Sequence, residues 1–248
     1  MINCTIIIPA VEQSRLDICL DSLDESILEN VIVYKNAPNI AVKHKILSLE
    51  GSGKNDGIST AWNVGRRQVV NNQQDYLIIL SQNVKFDDGM RDFLANLSED
   101  RPKYGVWSTL GWHLLALSRE TLEKVGEFDT NCYPAYYEDN EYAIRMHKSK
   151  ILDEIYEIPV AADVKSGLST TLGIRVDVEP IKQYVIRKWG ETLDWTHYHS
   201  QPFYDTPFND PTKSLDYFEK KTTEQMIKDY GYEDRIEDLY VKDAREYL

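Results

Sequence analysis

Apolar, β-branched segments that alternate with segments of helical periodicity predict an α/β fold with a parallel-type sheet. The segment CTIIIP, residues 4–9, forms the first buried strand, and apolar residues then recur at helical spacing over residues 16–28. The segment NVIVYKNAP forms the second strand, and residues 59–70 form a helix after a glycine-rich stretch. DYLIILS is the third and most apolar strand. Ligands of such sheets lie at the carboxyl ends of the strands.

The second half of the chain is less regular. HLLALS is strand-like, and the short helix after it begins at a potential cap, Ser118, and ends at Gly126. The segment EDNEYAIRMHKSK is helical, EIYEIPVAADV is extended, and two further helices fit residues 178–189 and 214–230. These patterns predict one domain over residues 1–175 and a helical C-terminal extension over residues 176–248.

Composition narrows the class of protein. A chain of 248 residues with 42% hydrophobic residues can build a sizeable core. Its net charge of −13 disfavours sequence-independent binding to nucleic acid, although it leaves room for a local basic cleft. No run approaches the roughly 18 apolar residues of a membrane span. Three cysteines without a CxxC pair fit buried, reduced thiols, and we expect a soluble cytoplasmic protein.

Six segments stand in an informative order: the strand ending at Pro9, VIVYKNAP, GISTAWNVG, DYLIILSQNV, GWHLLALSRETLEKVGEFD and YYEDNEYAIRM. In this order they resemble the GT-A glycosyltransferases of family 2. YVIRKWG followed by PFND is similar to the tail of some bacterial and phage members. The resemblance covers about residues 2–170. It implies a Rossmann-like, mixed, mostly parallel sheet flanked by helices. It also implies an enzyme, a hexosyl- or pentosyltransferase, that moves a sugar from a nucleotide-diphosphate sugar to an acceptor hydroxyl with inversion.

The resemblance implies where the donor binds. Pro9, Val11 and Asn36 are expected to line the nucleoside pocket, and Gly57 and Asn63 belong to the loop and helix that pack against the donor. From the residues alone, Gly57 and Asn63 fit equally well as a helix start and a buried polar anchor.

The resemblance assigns the catalytic carboxylates to Glu138 and Asp139, with Asp139 as the general base. Tyr136 and Tyr137 precede the pair, and partial burial beside them raises the pKa of a carboxylate. The alternative is an ordinary pair of acids at a helix N-terminus, which the helix dipole favours. Gly111, Trp112 and His113 are expected beside the acceptor, where an aromatic face can stack on a sugar; core packing explains Trp112 equally well.

The tip of the third strand departs from the family pattern. Relatives commonly carry an acidic cluster there that binds a divalent cation, whereas this chain has Ser81, Gln82 and Asn83. Amides are poor ligands for Mg²⁺ or Mn²⁺, so no metal ligand is predicted, although either ion is a possible cofactor. We expect Gln82 and Asn83 to contact the donor.

A second departure is Lys165, which stands where many relatives carry a histidine ligand. We therefore predict that Lys165, with Lys35 or Arg145, neutralises the diphosphate directly. The alternative, which fits the residues equally well, is that Lys165 is a surface lysine that does not match the histidine position. The alternative function is a non-catalytic GT-A module that binds a nucleotide sugar or a glycan. For an enzyme, the acceptor could be a glycan, a lipid-linked sugar, a protein side chain or a hydroxymethylated base of phage DNA.

Overall fold

The computed structural model of the protein describes residues 2–51, 55–132 and 135–165, together with the buried Val185. The predicted C-terminal extension, residues 176–248, therefore lies outside the described residues except for Val185.

Nine strands are found in the described ranges. In chain order they are β1 (Cys4–Ala10), β2 (Val31–Lys35), β3 (Leu47–Glu50), β4 (Tyr76–Leu80), β5 (Val84–Phe86), β6 (Gly105–Ser108), β7 (Leu114–Ser118), β8 (Tyr156–Ile158) and β9 (Ala162–Val164). The helices are α1 (Gln13–Asp21), α2 (Glu25–Leu28), α3 (Ile58–Asn71), α4 (Gly89–Asp100), α5 (Arg119–Val125) and α6 (Glu138–Lys148), with short 3-10 helices at Gly111–His113 and Leu152–Glu154. None of the helices in the described part of the chain has the length and apolarity needed to cross a bilayer.

Seven strands form the central sheet in the order β3-β2-β1-β4-β7-β6-β8, and β5 pairs with β9 in a second, two-stranded sheet. Within the central sheet β1 pairs in parallel with both β2 and β4, β2 with β3, and β6 with β8. Only β7 runs antiparallel to its neighbours, β4 and β6. The predicted mixed, mostly parallel sheet flanked by helices is therefore confirmed.

Both faces of the sheet are covered, which is why its central strands are apolar throughout. Ile6 and Ile8 of β1 pack against α1 and α4, whereas Ile7 points to the opposite face and packs against α3. Gly65 brings α3 directly onto the sheet, because a Cβ atom there would stand 2.7 Å from Leu77 Cδ1 and 3.0 Å from Ile7 Cβ. This close approach sets the distance between α3 and the sheet.

Most predicted elements are present, with local differences. The three predicted strands of the first half are β1, β2 and β4, and the short edge strand β3 lies between the last two in sequence. The predicted helix over residues 16–28 is two helices, α1 and α2, because the chain leaves α1 at Ser22. The predicted caps of α5 are confirmed: Ser118 Oγ accepts a hydrogen bond from the Thr121 N–H at 3.1 Å, and the helix ends at Gly126.

Candidate functional site

The carboxyl ends of β1, β2 and β4 lie side by side and bring the predicted donor residues together. The pairing of β1 with β2 extends through Pro9 and Ala10, but its pairing with β4 stops at Ile7. Pro9 therefore stands beyond the last pair with β4, where a missing N–H removes no hydrogen bond of that ladder. In open α/β sheets, ligands bind outside the carboxyl ends of the strands, which is where the residues that follow β1 and β4 lie.

Gln82 connects the tip of β4 to the start of α1. Its side chain is only 4% exposed, and its Oε1 accepts hydrogen bonds from the backbone N–H groups of Val11 at 3.1 Å and Glu12 at 3.3 Å. The amide oxygen therefore satisfies two donors that precede the helix, and it holds Val11 beside the tip of β4.

Asn83 faces a residue that sequence analysis missed, Arg15 of α1. The guanidinium Nη1 donates to Asn83 Oδ1 at 3.0 Å and to the backbone oxygen of Lys165 at 2.6 Å. The Lys165 N–H in turn donates to the Asn83 backbone oxygen at 2.9 Å, which continues the pairing of β5 with β9. The backbone of Lys165 therefore lies at the strand tip and its side chain is exposed, and contact of this side chain with the diphosphate stays a prediction.

Asn36 joins the end of β2 to the loop before α3. Its backbone N–H donates to the Ala10 oxygen at 2.8 Å, and its buried side chain bonds to the backbone of Asp56 and Gly57 at 3.3 and 3.4 Å. Gly57 has a φ of 85° at the start of α3, a conformation that favours glycine. Tyr34 donates to Asp56 Oδ2 at 2.8 Å, and burial, followed by this hydrogen bond, raises the pKa of its hydroxyl.

Asn63 is a buried anchor. Its Nδ2 donates to the Phe128 backbone oxygen at 2.8 Å, and its Oδ1 accepts from the Phe128 N–H at 2.7 Å. This arrangement fits the buried-anchor alternative, and a direct contact of Asn63 with the donor stays a prediction.

The predicted acceptor segment lies beside the strand tip, because β4 and β7 are antiparallel neighbours and the Ser81 N–H donates to the His113 oxygen at 2.9 Å. Gly111 has a φ of 59°, and a Cβ atom there would meet open space. Burial lowers the pKa of His113. Trp112 is half-buried.

An aromatic series runs from the acceptor segment to α6. Trp112 stacks on Trp62 of α3 with 5.7 Å between ring centroids, and it meets Trp107 edge-on at 5.0 Å. Trp62 meets Phe128 edge-on at 5.0 Å, and Phe128 stacks on Tyr142 at 3.9 Å. Because Tyr142 belongs to α6, the series ties the start of that helix to the strand-tip side of the sheet.

Glu138 and Asp139 begin α6, directly after two residues with left-handed backbone. Tyr136 has a φ of 79° and Tyr137 a φ of 64°, which costs free energy for residues other than glycine. Glu138 is 6% exposed, and burial, then the charge of Asp139, raises its pKa well above 4.5. Asp139 is half-buried, and burial raises its pKa as well, as the sequence predicted.

The predicted participation of Arg145 in diphosphate binding is wrong. Its side chain is 3% exposed. Its guanidinium donates hydrogen bonds to the Glu141 carboxylate at 2.7 Å and to the Val125 backbone oxygen at 2.8 Å. The pair is a buried brace for α6. The Glu-x-x-x-Arg spacing of these two residues, which places them on one helix face, is the sequence signal that indicates it.

Two solved structures share this architecture. A complex of glucosyl-3-phosphoglycerate synthase from Mycobacterium tuberculosis with Mn²⁺, UDP-glucose and phosphoglyceric acid superposes with a TM-score of 0.53 at 13% identity, over 75% of this chain and 79% of that one. TarS from S. aureus gives a TM-score of 0.51 at 10% identity, over 79% of this chain and 41% of that one. The chain has the GT-A fold.

A further solved structure is similar over part of the chain. A mannosyltransferase from Pyrobaculum calidifontis, solved with GDP-mannose and Mn²⁺, is 20% identical with a TM-score of 0.48, and the match covers 68% of this chain and 59% of that one. No protein-family model and no curated protein sequence matches the chain. At these identities, the shared property is the GT-A fold.

The strand tip of this GT-A chain does not fit a divalent cation. Within residues 2–51, 55–132 and 135–165, no group of three or more His, Cys, Asp or Glu side chains is arranged to hold a metal ion. The two amide oxygens at the tip accept hydrogen bonds from other groups, Gln82 from backbone N–H groups and Asn83 from Arg15. Mg²⁺ and Mn²⁺ prefer charged oxygen ligands, and the carboxylate that the described residues bring beside the tip, Glu12, is paired with Arg15, with 2.9 Å between Oε2 and Nε.

Proposed function

We propose that the protein is a glycosyltransferase that transfers a sugar from a nucleotide-diphosphate sugar to an acceptor hydroxyl, with inversion and with Asp139 as the general base. The observation that carries the proposal is the half-buried Asp139 at the start of α6, whose pKa is raised by burial in a chain with the GT-A fold. The likeness to the synthase that was solved with UDP-glucose supports a nucleotide sugar as the donor.

In the proposed reaction the acceptor oxygen attacks the anomeric carbon while its proton passes to the Asp139 carboxylate. The bond from the anomeric carbon to the diphosphate oxygen breaks, and the nucleoside diphosphate leaves with the electron pair. A raised pKa makes Asp139 a stronger base than an exposed aspartate, and general-base catalysis of this kind contributes about 10²–10⁴-fold. Single displacement inverts the configuration of the anomeric carbon.

The remaining predicted residues have places in this proposal. Pro9, Val11 and Asn36 border the nucleoside at the ends of β1 and β2, and Lys165 contacts the diphosphate at the tip of β4. Gly111, Trp112 and His113 border the acceptor sugar, with the half-buried Trp112 indole as a stacking surface.

Glu138 has a different role from Asp139. Burial, then the charge of Asp139, raises its pKa and disfavours its ionised form, so we assign the acceptor proton to Asp139 and not to Glu138. Membership of family 2, a cytoplasmic location and a glycan or other small hydroxyl acceptor complete the proposal. The net charge of −13 disfavours a nucleic-acid acceptor.

A donor screen tests the proposal. Nucleotide release from UDP-, GDP-, dTDP- and CMP-sugars is measured for the wild type, for Asp139→Asn and for Asp153→Asn. Asp153 is an exposed aspartate of the 3-10 helix Leu152–Glu154, and it controls for the same chemical change elsewhere. We expect Asp139→Asn to lower turnover at least 100-fold and Asp153→Asn to leave it unchanged.

Two results contradict the proposal in different ways. Turnover that is equal in Asp139→Asn and wild type removes Asp139 from the role of base. Nucleotide binding by thermal shift without turnover of any donor indicates the non-catalytic GT-A module instead.

A further inference from the structure

We propose that Arg15, together with Lys165, takes the place of a divalent cation at the tip of β4 and contacts the diphosphate of the donor. The inference rests on the proposed function, since it concerns how a nucleotide-diphosphate sugar is held. It follows from the contact between the Arg15 guanidinium and the side chain of Asn83, the residue at which a metal-binding carboxylate is expected.

Arg15 reaches the tip from the first turn of α1, which directly follows β1. Nη1 stands 3.0 Å from Asn83 Oδ1 and 2.6 Å from the Lys165 oxygen, and Nε stands 2.9 Å from Glu12 Oε2. The Arg15 side chain is 11% exposed. Contacts on several sides therefore fix the guanidinium in place, so that little side-chain freedom is lost when a ligand binds.

The amide at position 83 spares the charge of Arg15. The guanidinium is paired with Glu12 Oε2 through Nε at 2.9 Å, and Asn83 Oδ1 accepts from Nη1 at 3.0 Å without adding a negative charge. An aspartate at position 83 would add another carboxylate to the same guanidinium. The amide therefore leaves the guanidinium more attractive to an anion than an aspartate would.

The same geometry disfavours a metal ion. A cation that used Asn83 Oδ1 would compete with the guanidinium for the same oxygen, and it would stand close to a positive charge that has few alternative positions. Guanidinium groups bind phosphate oxygens through directed N–H donors, so Arg15 offsets part of the diphosphate charge that a divalent cation otherwise offsets.

Calorimetric titration with UDP, GDP and dTDP tests the inference, each in EDTA and in Mn²⁺, with UMP as the comparison for the second phosphate. The variants are Arg15→Gln, Arg15→Lys and Asn83→Asp, and the control is Arg67→Gln, an arginine that is 50% exposed on α3. Thermal unfolding checks that each variant is folded.

We expect the wild type to bind a nucleoside diphosphate equally well in EDTA and in Mn²⁺. Arg15→Gln should weaken diphosphate binding about tenfold or more and abolish the preference over UMP, because charge-assisted hydrogen bonds are lost. Arg15→Lys should recover part of the affinity. Asn83→Asp, which keeps Arg15 in place, should weaken binding in EDTA, and Arg67→Gln should bind like the wild type.

Four results overturn the inference. Wild-type binding that requires Mn²⁺ shows that a metal acts at the tip. Equal diphosphate affinity in Arg15→Gln and Arg67→Gln shows that the guanidinium does not contact the ligand. Equal affinity in Asn83→Asp and wild type shows that the ligand does not meet the charge at position 83. In these last two cases the proposed function still stands on the donor screen. No nucleotide binding by the wild type overturns the proposed function and this inference together.

Discussion

Removal of Arg145 should destabilise the protein by about 3–5 kcal/mol, the usual cost of breaking a buried ion pair by deleting one partner. Arg145→Met keeps most of the side-chain volume but removes the guanidinium from the Glu141 carboxylate, which is fully buried in the structure. It also removes the hydrogen bond to the Val125 oxygen and the approach of the guanidinium to the Tyr142 ring, whose centroid is 4.7 Å away.

The size of this effect depends on the charge that remains. The Glu141 oxygens accept from Nε at 3.0 Å and from Nη2 at 2.7 Å, and a methionine supplies neither donor. For a chain of this length, each kcal/mol corresponds to about 2–4 °C in Tm, so a decrease of about 6–20 °C is expected. The double variant Glu141→Leu/Arg145→Met leaves no charge behind, and it should be more stable than Arg145→Met alone.

Urea unfolding followed by tryptophan fluorescence measures both quantities. The free energies of unfolding of the wild type, the two single variants and the double variant complete a double-mutant cycle. A cost below about 1 kcal/mol for Arg145→Met, or a double variant as unstable as the sum of the single variants, would refute the assignment of this pair as a brace for α6.

We make three further predictions, for Glu138, Asn63 and His113. Burial raises the pKa of Glu138 above 4.5, so ionisation favours the unfolded state, and the stability due to this carboxyl is lost as pH rises from about 4.5 toward its folded pKa. Glu138→Gln should therefore be more stable than wild type in urea at pH 7, by about 1.4 kcal/mol per unit of pKa shift, with no difference at pH 4; equal stability at both values contradicts this. Asn63→Leu should lower the free energy of unfolding by about 2–4 kcal/mol in the same assay, because the Phe128 N–H and oxygen lose their partner. The control is Asn96→Leu on the exposed face of α4. A smaller loss for Asn63→Leu than for this control would be inconsistent with a buried anchor. Burial lowers the pKa of His113, so its NMR titration midpoint should lie below 6.5 and the ring should be neutral at pH 7; a higher midpoint would mean that a carboxylate approaches it.

Sequence patterns predict the centre of this fold well, because β1, β2 and β4 are buried on both faces and are therefore continuously apolar. The edge strand β3 escaped prediction because it is short and because Leu47 is 51% exposed, so burial does not impose a clear pattern on it. Helix α4 also escaped prediction, although Phe93 and Leu97 lie on its buried face at helical spacing.

Some residues of the candidate site can be proposed from the sequence and others cannot. Asp139 could be proposed from the sequence because it belongs to a segment whose order and spacing resemble the GT-A glycosyltransferases of family 2. Arg15 could not, since it occurs in no motif and meets Asn83 only through tertiary packing, across 68 residues of sequence. The erroneous placement of Arg145 has a related cause, because a charged residue on a helix has no visible partner until its buried face is known.

The stacked Trp62 and Trp112 rings give the protein an optical property that requires no label. Indole transitions at 5.7 Å with planes 19° apart couple strongly, and this coupling changes with separation and orientation. Trp62 is held in the core, whereas Trp112 is half-buried beside Gly111. A sugar that binds against Trp112, as proposed above, would displace or tilt this ring and change the near-ultraviolet circular dichroism, so this proposed contact can be tested by spectroscopy before a donor is identified.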